Sequence, residues 1–162
     1  MKSTRIVSAV AASALAVGLH VAAQTSPASA DRWTRADMLA KSRELAATAK
    51  QHNGAASIKL SNYPGHFTML AYREQSGGPE VHEHFADIFV IVRGSATLFT
   101  GGTVVDQRTT SPGEMIGSAL EDAASQALHV GDVVHIPAGT PHRLVLSKGD
   151  TLTYFVIKVK ES

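Results

Sequence analysis

The sequence predicts an all-β domain of antiparallel strands, closed as a sandwich or barrel, with one short helix in front of it. Apolar and polar side chains alternate in short runs such as Phe67–Tyr72, which is typical of half-buried strands. Glycine-rich turns such as Gly101-Gly102 separate these runs, and many short strands at regular spacing indicate a sandwich or barrel. At 162 residues the chain is long enough for one domain with a sizeable hydrophobic core.

The first thirty residues are predicted to be a leader. Lys2 and Arg5 form a positive start, an apolar stretch covers 6–23, and Ala28-Ser29-Ala30 is a small-residue cleavage site. This is the pattern of a secretory signal peptide, with Val21-Ala22-Ala23 as a competing cleavage site; an uncleaved membrane anchor or a disordered leader is the alternative. We expect an exported protein, periplasmic or extracellular, without stable membrane association after cleavage. The predicted layout is a signal peptide over 1–30, a helical segment over 31–56 and a barrel domain over 57–162.

Charge and cysteine content exclude several classes of function. Lys2 and Arg5 lie in the leader, so 13 of the 15 basic residues remain against 14 acidic ones. A chain so close to neutrality gives no electrostatic reason to bind nucleic acid or an anionic membrane. The chain has no cysteine, which excludes disulfides, a thiolate nucleophile and a cysteine–zinc site.

The helix is predicted to run from Thr34 to about Lys50. Thr34 and Asp37 have the spacing of a capping box, which opens a helix, and Asn53-Gly54 ends it. The expected apolar face is a modest one, made by Met38, Leu39, Leu45 and Ala46.

Strands are predicted over the remainder of the chain. The expected strands are 67–72, 81–84, 88–92, 96–99, 133–136, 144–146 and 152–159. The turns between them are Gln75–Pro79, Gly94-Ser95, Gly101-Gly102 and Lys148–Asp150. Residues 106–128 are the least regular part, and we interpret them either as a lid over a barrel mouth or as a long hairpin excursion.

Three histidines have the spacing of a metal site. His82 and His84 lie two residues apart on a predicted strand, so both side chains point to the same face, about 7 Å apart along the strand. His142 ends a run that begins at Gly131, and it would bring a third imidazole from a distant strand. Together the three imidazoles would form one face of a metal site.

These residues carry a resemblance to the cupin family. The first motif resembles the cupin pattern of a glycine, HxH, a carboxylate and a closing glycine, which is matched here by Gly77 or Gly78, His82, His84, Asp87 and Gly94. The second resembles the pattern G(x)5PxG(x)2H(x)3N, which is matched by Gly131, Pro137, Gly139 and His142. The resemblance covers residues 60–159 and implies a small antiparallel jelly-roll barrel with one metal near its open end. It implies that the metal ligands are His82, His84, Asp87 and His142.

Two departures from the family pattern concern the carboxylate and the asparagine. The family carboxylate is a glutamate three or four residues after HxH, whereas Asp87 follows His84 after two. The distance from Asp87 to Gly94 still matches the pattern, so the missing length lies in the turn before Asp87. Glu83 faces away from the histidine pair and is the poorer candidate. Leu146 replaces the asparagine, which is not a ligand in the family.

A site of this kind supports two functional hypotheses. Imidazoles and a carboxylate leave positions open on a divalent transition metal, and they suit Fe, Mn, Ni, Cu, Co or Zn without choosing among them. The first hypothesis is an exported metal-dependent enzyme that acts on an oxygen-bearing small molecule; by analogy with the family it is a dioxygenase, with isomerase, decarboxylase or lyase chemistry as alternatives. Tyr72, His135 and Glu114 are the candidates for a general base. The second hypothesis is a non-catalytic barrel that binds a small molecule, and a homodimer is compatible with both.

Overall fold

The computed structural model describes residues 30–161, and in this part of the chain one helix precedes thirteen strands. The elements are α1 (Arg35–Ala49), β1 (Ala55–Asn62), β2 (His66–Arg73), β3 (Glu80–His82), β4 (Phe85–Gly94), β5 (Ala96–Thr100), β6 (Thr103–Val105), β7 (Arg108–Ser111), β8 (Glu114–Ile116), β9 (Ala119–Glu121), β10 (Ala124–Leu128), β11 (Val133–Ile136), β12 (His142–Val145) and β13 (Leu152–Lys160). The predicted signal peptide lies outside the described residues, apart from its last residue. No helix within 30–161 is long and apolar enough to cross a membrane.

The helix begins with the predicted capping box. The backbone N–H of Asp37 donates to the Thr34 hydroxyl, and the backbone N–H of Thr34 donates to the Asp37 carboxylate, both at 3.1 Å. Asn53 and Gly54 then take positive φ angles of 53° and 74°, which turn the chain towards β1. The prediction of a helix over 34–50 is therefore confirmed.

The helix packs on the outer face of the sheet that contains β2 and β13. Leu45 forms a small apolar cluster with Leu70 and Tyr72 of β2. The hydroxyls of Ser42 and Thr153, both buried, lie 2.7 Å apart and share a hydrogen bond. The opposite face of the same sheet is left free to line the barrel.

All the strand pairings of the two main sheets are antiparallel. One sheet has the order β1-β2-β13-β4-β11, and the other has the order β10-β5-β12-β3-β8-β7. A small ribbon pairs β6 with β9, also antiparallel. The all-β antiparallel class predicted from the sequence is confirmed.

The hydrophobic core lies between the two main sheets. Alternate residues of β13, Leu152, Tyr154 and Val156, point into it from one sheet. Leu98 of β5 and Leu144 of β12 meet them from the other sheet. The inner faces of both sheets thus line one apolar interior. The polar side chains found on these inner faces are described below.

The strand predictions hold best where the alternation is strong. Strand β11 has its predicted bounds, and β2, β5 and β13 extend the predicted ranges by one or two residues. Strand β1 was not predicted, and residues 106–128, predicted to be irregular, contain β7 to β10. Because β8 pairs with β3, this segment is part of the six-stranded sheet at that point.

Candidate metal centre

Three potential metal ligands converge on the inner face of the six-stranded sheet. Glu80 and His82 lie two residues apart on β3, so their side chains share a face. His142 on β12 is paired directly with Glu80 across the strands. One ligand atom from each of these three residues lies within 4.8 Å of the others, so the group could hold a metal ion.

Asp87 reaches the same point from the opposite sheet. It lies on β4, is 2% exposed, and places Oδ2 3.6 Å from Nε2 of His82 and 3.6 Å from Nε2 of His142. Two atoms that each bind a transition metal at about 2.1 Å lie about 3.0–3.5 Å apart around it. The separations here are therefore close to those of ligands that share one ion.

The orientation of both imidazoles is fixed through their Nδ1 atoms. Nδ1 of His142 lies 3.0 Å from the carbonyl oxygen of Thr140, to which it donates. Nδ1 of His82 is hydrogen-bonded to the Glu114 carboxylate. These acceptors leave Nε2 of each ring as the atom that faces the site, which is the arrangement that metal-binding histidines commonly have.

Each of the two inward carboxylates also has its own cation. The Arg73 guanidinium lies 3.3 Å from Glu80 Oε1, and its Nε donates to the Tyr154 hydroxyl at 3.1 Å. The Lys158 ammonium lies 2.8 Å from Asp87 Oδ1 and donates to Oδ2 at 3.0 Å. The charge of each inward carboxylate is therefore balanced within the protein, which matters most for the buried Asp87.

Burial and the neighbouring charges move the pKa values of the site in different directions. Burial lowers the pKa of His142 below its ordinary value, so this imidazole is neutral at pH 7. Burial acts in the same direction on His82, but the contact of its Nε2 with Glu80 Oε2 at 3.6 Å and the charge of Asp87 outweigh it and raise the pKa of His82. Burial opposes ionisation of Glu80, yet the contact with His82 and the charge of Arg73 lower its pKa to about 2. Glu80 is therefore a carboxylate at neutral pH.

His84 is not part of this group. The prediction that 81–84 is one strand is wrong at its end, because β3 stops at His82 and the next two residues form a turn into β4. The backbone carbonyl of His84 accepts a hydrogen bond from the N–H of Glu161, and its ring lies against Gly113, where a Cβ would be 2.7 Å from Cδ2. The side chain is exposed, so the two histidines of the HxH motif do not share a face.

Sequence reasoning missed Glu80, although a spacing signal was present. Glu80-x-His82 is followed by four residues and then Asp87, and Asp87 is followed by six residues and then Gly94. A gap of three or four residues before the carboxylate is what the cupin pattern requires. Moving the motif two residues towards the N-terminus thus places Glu80 where the family has its first histidine, and it removes the departure in spacing noted for Asp87, which still replaces a glutamate.

The three residues considered as general bases have different positions. Glu114 is at the site, bonded to His82. Tyr72 faces the helix and donates to Glu74 at 3.3 Å, and His135 is exposed on β11. Of the three, Glu114 alone contacts a residue of the proposed metal site.

A cavity of ≈ 260 Å³ adjoins the site inside the barrel. Glu80 and Asp87 line it together with Lys158, while Met69, Phe89 and other apolar side chains form its walls. A small molecule in this cavity would therefore meet both the carboxylates and the ammonium of Lys158.

The donor set fits a divalent transition metal. Two neutral imidazoles and two carboxylates are borderline N and O ligands, and this combination suits ions from manganese to zinc. One buried acceptor is also incompletely used: Asp87 Oδ1 accepts no well-formed hydrogen bond from any residue of 30–161, although Nζ of Lys158 lies close to it. A cation bound between the imidazoles would satisfy such an oxygen.

Comparisons with known proteins identify solved structures with a similar fold. No family model matches the chain, and no curated protein matches it in sequence. The DMSP lyase DddQ from Ruegeria pomeroyi is similar with a TM-score of 0.50 and 16% identity, over 68% of this chain and 49% of that one, so this chain spans about half its length. An uncharacterized conserved protein with a double-stranded β-helix domain from Klebsiella pneumoniae has a TM-score of 0.50 and 12% identity, over 67% of this chain and 78% of that one. The cupin domain of Cnp3 from Schizosaccharomyces pombe has a TM-score of 0.50 and 9% identity, over 66% of this chain and 61% of that one. At these identities the likeness concerns the fold alone.

Proposed function

We propose that this chain, whose fold is that of the cupins, is a metal-binding protein that presents one divalent transition metal to a small oxygen-bearing molecule. The proposed ligands are Glu80, His82 and His142, with Asp87 as a fourth. The molecule would occupy the cavity of ≈ 260 Å³ beside them. By analogy with other cupins the activity is that of an oxidoreductase of the dioxygenase type.

The observation that carries this proposal is the matched orientation of the two imidazoles. Each Nδ1 has an acceptor of its own, so both Nε2 atoms face Asp87 Oδ2 at 3.6 Å. Without an ion, the raised pKa of His82 favours protonation of this imidazole. A divalent cation would take the place of that proton, so metal binding should release protons and weaken as the pH falls.

The residues of the chain have separate tasks in this proposal. The bound metal would supply a Lewis acid, with an open position for a chelating oxygen or for dioxygen. Glu80, His82 and His142 would hold it, and Glu114 would keep the ring of His82 in place. The apolar walls formed by residues such as Phe89 would exclude bulk water from the cavity.

Metal content tests the site directly. The protein would be purified without a histidine tag and its metals measured by elemental analysis, with His142→Ala and His82→Ala as variants and His84→Ala as the matched control. We expect about one equivalent per chain in the wild type and in His84→Ala, and little in the other two. Loss of metal in His84→Ala with retention in His82→Ala would overturn the proposed ligand set. Oxygen uptake by the metal-loaded protein over diketones, phenols and thiols then tests the reaction class.

The second candidate is a metal-free barrel that binds a small molecule. The observation that favours it is the pairing of Glu80 with Arg73 and of Asp87 with Lys158, which neutralises the carboxylates without an ion. Wild-type protein that takes up no metal from any of the ions tested, yet binds a small acid or polyol, would support this reading.

Export and pairing are also proposals. Residues 1–30 carry the signal-peptide pattern, and cell fractionation with N-terminal sequencing of the mature protein would show whether cleavage follows Ala30 or Ala23. A mature protein that retains Met1 in the cytoplasm would refute export. Light scattering of the same sample decides between a monomer and a homodimer.

A further inference from the structure

Lys158 is a buried cation whose hydrogen-bonding capacity is only partly used. It lies on β13 opposite Asp87 of β4, its side chain is 13% exposed, and it lines the barrel cavity. An ammonium has three donors, and within residues 30–161 Asp87 is the acceptor of its hydrogen bond. Asp87 therefore leaves donors of the ammonium free, and their position at the cavity points to a second use for Lys158.

The site and Lys158 compete for the same oxygen. Asp87 Oδ2 receives the hydrogen bond of Lys158 at 3.0 Å, and it is also 3.6 Å from Nε2 of both His82 and His142. A divalent ion ligated by Asp87 would draw charge from this oxygen and repel the ammonium beside it. The lysine side chain, with its flexible four-carbon stem, would then turn into the adjoining cavity.

The charge of the site with a bound ion favours an anionic partner. Around the imidazoles, Glu80, Asp87 and Glu114 carry three negative charges, while Arg73 and Lys158 carry two positive ones. A divalent ion would change this balance from −1 to +1, in surroundings of low dielectric constant where an uncompensated charge is unfavourable. The carboxylate charge of a bound acid would offset this positive charge.

We propose that Lys158 is the anion-receiving residue of the barrel cavity, and that the ligand class is a small carboxylic acid whose carboxylate takes the place of Asp87 on the ammonium. This inference rests on the proposed function for its metal-bound state, in which a second oxygen of the acid would reach the metal. A cavity of ≈ 260 Å³ lies below the range of about 300–1,000 Å³ typical of pockets for drug-sized ligands. The acid is therefore a small one.

The test compares malonate with malonamide, which has the same skeleton and no charge. Binding to cobalt-loaded protein is measured by calorimetry and by the visible spectrum of the cobalt, in wild type, Lys158→Met and Lys158→Gln, with Lys160→Met as the control from the exposed end of the same strand. We expect malonate affinity to fall about tenfold or more in both Lys158 variants and to be unchanged in Lys160→Met. Lys158→Gln keeps a hydrogen-bond donor for Asp87, so its malonate affinity can be measured even if Lys158→Met does not fold.

The affinity for cobalt, measured on the same variants, would not change if Lys158 had only a structural role. Removing the ammonium relieves its competition for Asp87, so cobalt should bind more tightly to Lys158→Gln than to the wild type. Equal malonate affinity in wild type and Lys158→Gln, or equal affinity of the wild type for malonate and malonamide, would overturn the inference.

A metal-free arm separates this inference from the proposed function. In Asp87→Asn the lysine has lost its carboxylate, so metal-free Asp87→Asn should bind malonate more tightly than metal-free wild type, and Asp87→Asn/Lys158→Gln should lose that gain. If the wild type binds no cobalt, the metal site is refuted, while the behaviour of Asp87→Asn still decides the role of Lys158. No gain in Asp87→Asn would refute the anion site even where cobalt binds.

Discussion

Glu80 and His142 are direct cross-strand partners on β3 and β12, and this single pairing brings together the proposed metal ligands that come from the six-stranded sheet. Residues opposite each other in an antiparallel pair share a face and have Cβ atoms about 4.5–5.5 Å apart. The same face carries His82 two residues further along β3. The geometry of three ligands therefore follows from the register of two short strands.

The same rule places the groups that support the ligands. His82 is paired with Glu114 of β8, and Asp87 is paired with Lys158 of β13. Each pair joins an acid and a base on neighbouring strands, where opposite charges stabilise the sheet. The site is thus built from strand positions and not from loop tips, which favours a precise geometry.

Glu80 should make the stability of the metal-free protein depend on pH in the acidic range. Its pKa is about 2 in the folded protein against an ordinary value of 4.5, so its contribution to stability is present above pH 4.5 and is lost as the pH falls through 2. We expect Glu80→Gln to lower the free energy of unfolding at pH 6 by an amount on the order of 1 kcal/mol, because solvent screens a side chain that is 36% exposed. Urea unfolding of both proteins between pH 2 and pH 6 checks this. A difference that stays constant over this range would contradict it.

Glu114 should act on the metal through His82. Glu114→Ala removes the acceptor on Nδ1 of His82, so the ring loses its fixed orientation. We expect metal affinity to fall by about 10–100-fold while the fold is retained. Competitive chelator titration measures the affinity, and Glu121→Ala on β9 of the separate ribbon, where the side chain is exposed, is the control. Equal affinities in the two variants would show that Glu114 does not support the site.

The Ser42–Thr153 hydrogen bond should couple the helix to the barrel. Both hydroxyls are buried and lie 2.7 Å apart. We expect Thr153→Val to lower the free energy of unfolding by about 1–3 kcal/mol, because it leaves the Ser42 hydroxyl without a partner. Ser42→Ala/Thr153→Val should be less destabilised than the sum of the single variants. Strict additivity in denaturant unfolding would mean that the two residues do not interact.

Gly94 should be irreplaceable for a steric reason. Its φ is 82°, and an added Cβ would lie 1.8 Å from the carbonyl oxygen of Thr151 on the neighbouring strand segment. We expect Gly94→Ala to cost about 4 kcal/mol or more. Gly149 has a φ of 88° with no atom near the added Cβ, so Gly149→Ala should cost only the backbone strain of about 1–2 kcal/mol. Thermal unfolding measures the loss of stability in both variants. Similar losses of stability in the two would rule out the clash at Gly94.

The sequence predicted correctly those features that depend on local patterns. The capping box of Thr34 and Asp37, the positive-φ end of the helix and the alternation along β2 and β13 are all set by neighbouring residues. The second motif likewise placed His142 in the buried interior. The cupin fold implied by the resemblance of the two motifs is confirmed by structures that share little sequence with this chain.

What the sequence by itself determined is the class of fold, the helix and the region that holds the site, because periodicity and turn residues act over a few positions. What only the tertiary structure decided is which side chains meet. A strand can end after His82 or after His84 with the same local pattern, and pairing with β8 and β12 fixes the end at His82. The same pairing begins the strand at Glu80, which therefore shares the inward face of His82, while His84 lies on a turn. Lys158 lies 71 residues from Asp87 in the chain, and only the register of β13 against β4 brings the two charges together.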